Sequence, residues 1–356
     1  MQRPDLTGVA PDVAAYIEYI EMELDRLRAA SETRRSAAVR SERESAENED
    51  PSLPPLEVTE PATTCQIITL SRGGLIKRTA RHLYERQRRG GMGIFDIDLP
   101  ENDAPFALCH VDESDTLLLI TNKARAFRLR VDAITPGPVR SKGQTVRNLV
   151  RLQDDEYPAA LLPSSKGVTL VLVSEKGYAR ALPAHVTGMG MTPGVALYRY
   201  GEFGPVAGAC WSGGKGDLFI ATRNGVGIRF AEKALALAGA LGIRLENGDA
   251  AVGVAAVQPP DGERILLVGG DGRGTVRLMD GFTANKSPGG SGKIALKGEK
   301  VIGAMAVTPE SDAFIISRLS KIIRFKVNEI PPKEGVVQGV NCMSLRSDEC
   351  VAMVVT

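Results

Sequence analysis

The sequence has few aromatic residues, no paired cysteines and no long apolar runs. Only 5% of its 356 residues are aromatic, and Trp211 is the single tryptophan. That argues against the stacking platform on which proteins hold single-stranded nucleic acid. The five cysteines (Cys65, Cys109, Cys210, Cys342 and Cys350) are odd in number and scattered, with no Cys-x-x-Cys. They read as reduced core thiols of a cytosolic protein. Apolar runs stop at lengths such as Leu117–Ile120 and Leu170–Val173, far short of the ~20 residues of a membrane span. The N-terminus lacks a basic region followed by an apolar core, which argues against secretion. His82, His110 and His185 lie far apart without neighbouring ligand spacing, so no metal is expected. The pattern Gly-x4-Gly-Lys-Ser/Thr is missing. Gly213-Gly214-Lys215-Gly216 and Ser291-Gly292-Lys293 fail its spacing, so neither ATP nor any other cofactor is indicated. Asp96 with Asp98, and Asp154 with Asp155, read as turn residues.

The near-neutral total charge hides an asymmetry. Residues 1–64 carry 7 basic and 14 acidic side chains, and the remainder carries 37 basic and 29 acidic. This describes an acidic arm on a basic body. Within the arm, Val13, Ile17, Ile20, Leu24 and Leu27 fall on one helical stripe. It is an amphipathic helix of about two heptads in the segment 1–30. Either it joins a homodimer or partner through 13–27, or it docks on its own domain or frays. Residues 31–64 are Ser-, Arg- and Glu-rich and then Pro-rich, a composition expected of a disordered linker. Its acids, Glu42 to Glu60, are expected to fold over basic surface and weaken nucleic-acid binding.

From Cys65 onward one unit is rephrased six times. Each instance has an apolar strand, a turn and a second strand ending in arginine, as in IITLSRGGLIKR (67–78) and FIISRLSKIIR (314–324). The closing arginines are Arg78, Arg128, Arg180, Arg229, Arg277 and Arg324, separated by 50, 52, 49, 48 and 47 residues. A Gly-containing loop and a further apolar strand follow in each unit, such as FALCHV (106–111) and VAMVV (351–355). Asn224-Gly225 and Asp271-Gly272 suit tight hairpins, because glycine takes positive φ at little cost. Six units of this length and content predict an all-β, six-bladed β-propeller over 65–356. Near-continuous apolar strands fit sheets covered on both faces. One position repeated in every blade makes a ring, so the closing arginines are candidate contacts to a curved phosphate backbone.

Unit one carries Gln87-Arg88-Arg89-Gly90-Gly91-Met92-Gly93 between its hairpin and its last strand. Two guanidiniums beside glycine amides are suited to a phosphate. Arg72, Lys77, Arg78, Arg81 and Arg86 add charge within 72–93. The heptad resembles the box of Gln-Arg-Arg-Gly-Gly-Lys-Gly type in the first blade of the C-terminal β-pinwheel of DNA gyrase A and its topoisomerase IV counterpart. Six of seven positions agree, and SRGGLIKRT (71–79) is similar to the same blade. SKGQTV (141–146), GMGMTPGV (188–195) and SPGGSGKI (287–294) are looser counterparts in later units.

The resemblance implies a disc whose basic rim binds and wraps double-stranded DNA without reading its sequence, free-standing or in trans with gyrase or topoisomerase IV subunits. The implied contacts are Gln87, Arg88, Arg89, Gly90, Gly91 and Gly93. Met92 stands where the family usually has lysine. None of the seven tyrosines has the Arg-Tyr-Thr setting of that family's nucleophile. The chain therefore reads as a non-enzyme, at most an accessory part of a type II topoisomerase. The alternative is a propeller scaffold that binds proteins and has lost DNA wrapping.

Overall fold

Six antiparallel hairpins supply the middle strands of six sheets. They are Cys65–Ser71 with Leu75–Ala80, Thr116–Thr121 with Arg125–Arg130, Thr169–Ser174 with Tyr178–Pro183, Asp217–Thr222 with Val226–Ala231, Arg264–Gly269 with Arg273–Leu278, and Asp312–Ser317 with Lys321–Lys326. The computed structural model describes Val13 and residues 60–356, apart from 165, 259–263, 286 and 299. The helix expected over 13–27 and the linker up to residue 59 lie outside the described residues. Residues 60–64 belong to the packed body rather than to a linker: the Glu60 carboxylate pairs with Arg81 and Arg324, and the Thr64 hydroxyl donates to Asp112.

Each hairpin turns through a left-handed third loop residue, such as Gly225 at φ 78° and Gly272 at φ 81°. On one side each hairpin pairs with the last strand of its own unit. These are Pro105–Asp112, Pro158–Pro163, Val206–Ser212, Ala251–Val257, Val301–Ala306 and Cys350–Val355. The six last strands neighbour one another around a central cavity of about 340 Å³ lined by Ala107, Gly208, Gly253, Gly303 and Ala352 among others. The body is therefore a ring of six blades.

The outer edge is built differently from a simple repeat. Each blade takes its fourth strand from the next unit. Gln144–Thr145 completes blade 1, Val195–Ala196 blade 2, Ala240–Leu241 blade 3 and Lys293–Ile294 blade 4. Blade 5 receives Pro332–Lys333 and Val340–Asn341. Blade 6 receives Ile94–Phe95 from unit one, which closes the ring. A glycine precedes the antiparallel exchanged strand in every unit: Gly93, Gly143, Gly194, Gly239, Gly292 and Gly339. The reason is close backbone approach. A Cβ on Gly93 would lie 2.6 Å from the Ile322 carbonyl oxygen, and one on Gly339 would lie 2.6 Å from that of Gly274, both at positive φ.

Alternate residues of one strand feed opposite blade interfaces. Ile68 and Leu70 pack toward blade 2 with Leu117 and Leu119, while Ile67 packs toward blade 6 with Phe314 and Ile316. Both faces are buried, hence the unbroken apolar runs. The interface between blades 6 and 1 has the smallest apolar cluster, eight buried residues against ten to fourteen elsewhere. Polar groups fill out this closure. Lys77, 1% exposed, pairs with the fully buried Asp96 at 2.9 Å, and Asp96 also accepts from Thr69 and Tyr84 at 2.6 Å. Asp96 is thus a buried hub and not the turn residue expected. Cys109, Cys342 and Cys350 are buried free thiols, as expected of core cysteines, while Cys65 and Cys210 are half-buried.

Gly93→Ala should lower the urea midpoint with unchanged slope, a loss of about 1–3 kcal/mol from forced backbone strain. Gly190→Ala, with nothing within 4 Å of the added methyl, should leave the midpoint unchanged.

Candidate nucleic-acid interface

Residues 87–95 leave unit one and lie along the outer edge of blade 6. The Gln87 N–H donates to the Arg324 carbonyl at 2.7 Å, and the Gly90 N–H donates to that of Cys342 at 2.8 Å. Arg89 donates from its N–H to the Glu329 carboxylate at 2.9 Å and from Nε to the Glu329 carbonyl at 2.8 Å. The Gly91 N–H donates to the Arg88 carbonyl and the Gly93 N–H to Gln87 Oε1. A Cβ on Gly91 would come within 2.6 Å of Gln87 Oε1. The three glycine amides expected to face a phosphate are therefore spent inside the protein. This heptad is first a clasp between the first unit and the last blade. Its guanidiniums, Arg88 and Arg89, remain half-buried at the surface.

Four of the closing arginines, Arg78, Arg128, Arg229 and Arg324, occupy equivalent register positions, opposite Ile68, Leu118, Phe219 and Phe314, whereas Arg180 opposite Leu172 and Arg277 opposite Ile265 are each shifted by one residue and so leave the other face of their strands. Their side chains turn between the blades. Arg128 donates to the Thr187 carbonyl, Arg180 to Leu197 and Leu237, Arg229 to Met279, and Arg324 to Arg81 and Tyr84. Arg277 stacks on Phe282, and Arg78 lies 3.7 Å from Glu113. Arg78, Arg277 and Arg324 are buried. Arg128, Arg180, Arg229 and Arg324 thus act as staples between loops rather than as a ring of rim contacts, while Arg78 and Arg277 are buried with guanidinium nitrogens that have no hydrogen-bond partner among the described residues. Lys77 is likewise withdrawn, committed to Asp96.

Arg324 anchors a charge network with Asp312, which also pairs with Arg86 and Lys326. Burial alone would raise the Asp312 carboxyl. Hydrogen bonding to Arg324 and the surrounding cations outweigh it and hold the group below the usual carboxylate range. Glu60 is lowered in the same way: burial opposes, and Arg81 and Arg324 prevail. Arg81 and Arg86 thus face acids in the body. Of the expected contacts, Arg72 is exposed, with its guanidinium 5.0 Å from the Phe106 ring centre.

Two exposed cations, Arg140 and Arg147, escaped the sequence reading, and a third, Lys142, was marked only within SKGQTV (141–146). Arg140, Lys142 and Arg147 lie in the exchanged segment that completes blade 1, and 134–150 contains no acid. Ser141–Lys142 pairs in parallel with Ile97–Asp98, just past the box. Arg140 and Lys321 both sit over the Phe95 ring, at 5.7 and 5.8 Å. The outer edges of blades 6 and 1 thereby bring these cations close together, with the exposed Asp98 in register with Lys142. The signal that could have found it is the acid-free run around SKGQTV. Among the described residues no group of three or more His, Cys, Asp or Glu could hold a metal ion. No helix among them is long and apolar enough to cross a membrane.

The fold and this edge define a six-bladed β-propeller with exchanged outer strands and a cationic sector. Residues 66–104, 115–157, 216–258 and 311–356 match the family model described as the DNA gyrase C-terminal domain, beta-propeller. The chain belongs to that family. It is 28% identical over 292 residues to the DNA gyrase A protein of Lawsonia intracellularis, covering 78% of this chain and 36% of that protein. It is 27% identical over 301 residues to the Staphylococcus aureus counterpart, covering 81% and 34%. It thus spans about a third of the length of the curated relatives it matches. Two solved folds are similar: a DNA gyrase A C-terminal domain (TM-score 0.69, 21% identity, 81% of this chain and 98% of that one) and the C-terminal domain of a DNA topoisomerase IV (0.58, 18%, 83% and 94%).

Lys77→Met strands the buried Asp96 charge and should cost about 3–5 kcal/mol in urea unfolding. Pairing it with Asp96→Leu removes the stranded charge and should recover only part of that loss, because the buried Tyr84 and Thr69 hydroxyls then lose their acceptor.

Proposed function

We propose that this chain binds double-stranded DNA through phosphate contacts and bends it along the outer edge of the ring, without cutting it. The observation that carries this is the acid-free segment with exposed Arg140 and Lys142, beside Arg147, whose guanidinium is held by the Leu152, Gln153 and Glu156 carbonyls, and next to the Arg88–Arg89 clasp, in a family named for DNA gyrase. Exposed arginine and lysine on a convex sheet edge neutralise phosphates and release counterions, so affinity falls by about 0.9 log units per contact for each tenfold rise in salt. No base-reading helix is offered by such an edge, so binding is indifferent to sequence. Bending 20–30 bp by 40–90° costs on the order of 1–6 kcal/mol, which the neighbouring cations on blades 6 and 1 help to offset. We propose further that it acts in trans beside gyrase or topoisomerase IV subunits, on cytoplasmic, nucleoid DNA. We assign this domain an accessory role rather than a catalytic one, in keeping with the propeller that the family model describes.

Gel-shift titrations against salt test this. Arg140→Ala with Lys142→Ala should weaken duplex binding and flatten the log–log salt slope by about 2, with an unchanged urea midpoint because both residues are exposed. No duplex binding by the unmodified chain at low salt would favour the protein-scaffold reading instead.

A further inference from the structure

The exchanged segments that form the outer edge differ sharply in charge from blade to blade. On blade 6 lie Arg88 and Arg89, on blade 1 Arg140, Lys142 and Arg147, on blade 4 Lys293 and on blade 5 Lys333 beside the exposed Glu334. On blades 2 and 3 the segments are 188–198 and 235–243, GMGMTPGVALY and LALAGALGI, with no charge of either sign. In a chain that is 24% charged, two adjoining edge segments without a cation are a local property of this sector.

What stands there instead is apolar. Met189 is 93% exposed on blade 2 and Leu237 is 85% exposed on blade 3. The cation between them, Arg180, is already committed, donating to the carbonyls of Leu197 at 2.6 Å and Leu237 at 3.3 Å. It ties the two neutral segments to one another. A phosphate backbone pressed against these two segments would lose water without gaining a cation there, the nearest exposed cations being Arg199 at the end of the first and Lys233 and Arg244 flanking the second.

We infer that the DNA path is an arc covering blades 4, 5, 6 and 1, and that the duplex leaves the outer edge at blades 2 and 3. This rests on the DNA-binding reading above and refines it: the ring bends DNA through part of a circuit. Five of the exposed apolar side chains along the edge provide a test that removes no charge. They are Met92 on blade 6, Ile294 on blade 4, Val336 on blade 5, Met189 and Leu237.

Each of the five is replaced in the full chain, one at a time, by the photocrosslinking residue benzoylphenylalanine. Each variant is irradiated on a linear duplex that it still shifts in a gel. Crosslinks to DNA are expected at 92, 294 and 336, with only background at 189 and 237. That order is the reverse of solvent exposure, so accessibility alone cannot produce it. Crosslinks at 189 and 237 as strong as at 92 would overturn the arc while leaving DNA binding intact. A chain that fails to shift duplex DNA at all would remove the DNA reading, and the arc with it.

Discussion

Closure of the ring is the constraint on which the rest of the structure depends. A single four-stranded blade has two apolar faces and two open edges, and neither can stay in water. Five interfaces are settled by sequence neighbours. The sixth, between blade 6 and blade 1, joins residues more than 200 positions apart and has the smallest apolar cluster. Specific polar geometry completes it. The buried Lys77–Asp96 pair, the Arg324–Asp312 network and the backbone hydrogen bonds of Gln87 and Gly90 all act at this one place. A buried charge pair contributes little over an apolar core, but it penalises any other register heavily. That suits a joint which must form once and in one way.

The same segment that closes the ring sets the character of its edge. Because 87–95 crosses onto blade 6 and 139–147 follows onto blade 1, the cations of the first two units end up side by side on adjacent edges. Phe95 sits between them, under both Arg140 and Lys321. Met92, exposed beside them, removes one charge from a stretch that remains cationic. Strand exchange thus converts order along the sequence into neighbours on the surface, and it also separates these cations from the neutral segments of blades 2 and 3.

Much of the fold was legible in the sequence. The recurring apolar strand–turn–strand–arginine unit located all six hairpins, and the later apolar runs located the inner strands. The donation of each fourth strand to the preceding blade was not legible. Two-residue strands such as Ile94–Phe95 carry no periodicity, and their only marker is a glycine whose need arises from a carbonyl on another unit. The site was read less well for a related reason. Recurrence of arginine suggests recurrence at the surface, but Arg128, Arg229 and Arg324 recur because each blade needs a donor for the carbonyls of the next loop. The box glycines recur with packing, whereas Arg140 and Lys142 sit in a loop whose exposure only the closed ring determines.

The most direct test of DNA bending along this edge is the linking number of a closed circular plasmid. The plasmid is relaxed with a nicking-closing enzyme at low salt in the presence of increasing amounts of the chain, and then freed of protein. A dose-dependent shift in linking number, diminished when Arg140 and Lys142 are replaced by alanine, is the result that bending along blades 6 and 1 predicts. Saturated binding with no shift at any dose would contradict it, leaving a ring that touches DNA without shaping it.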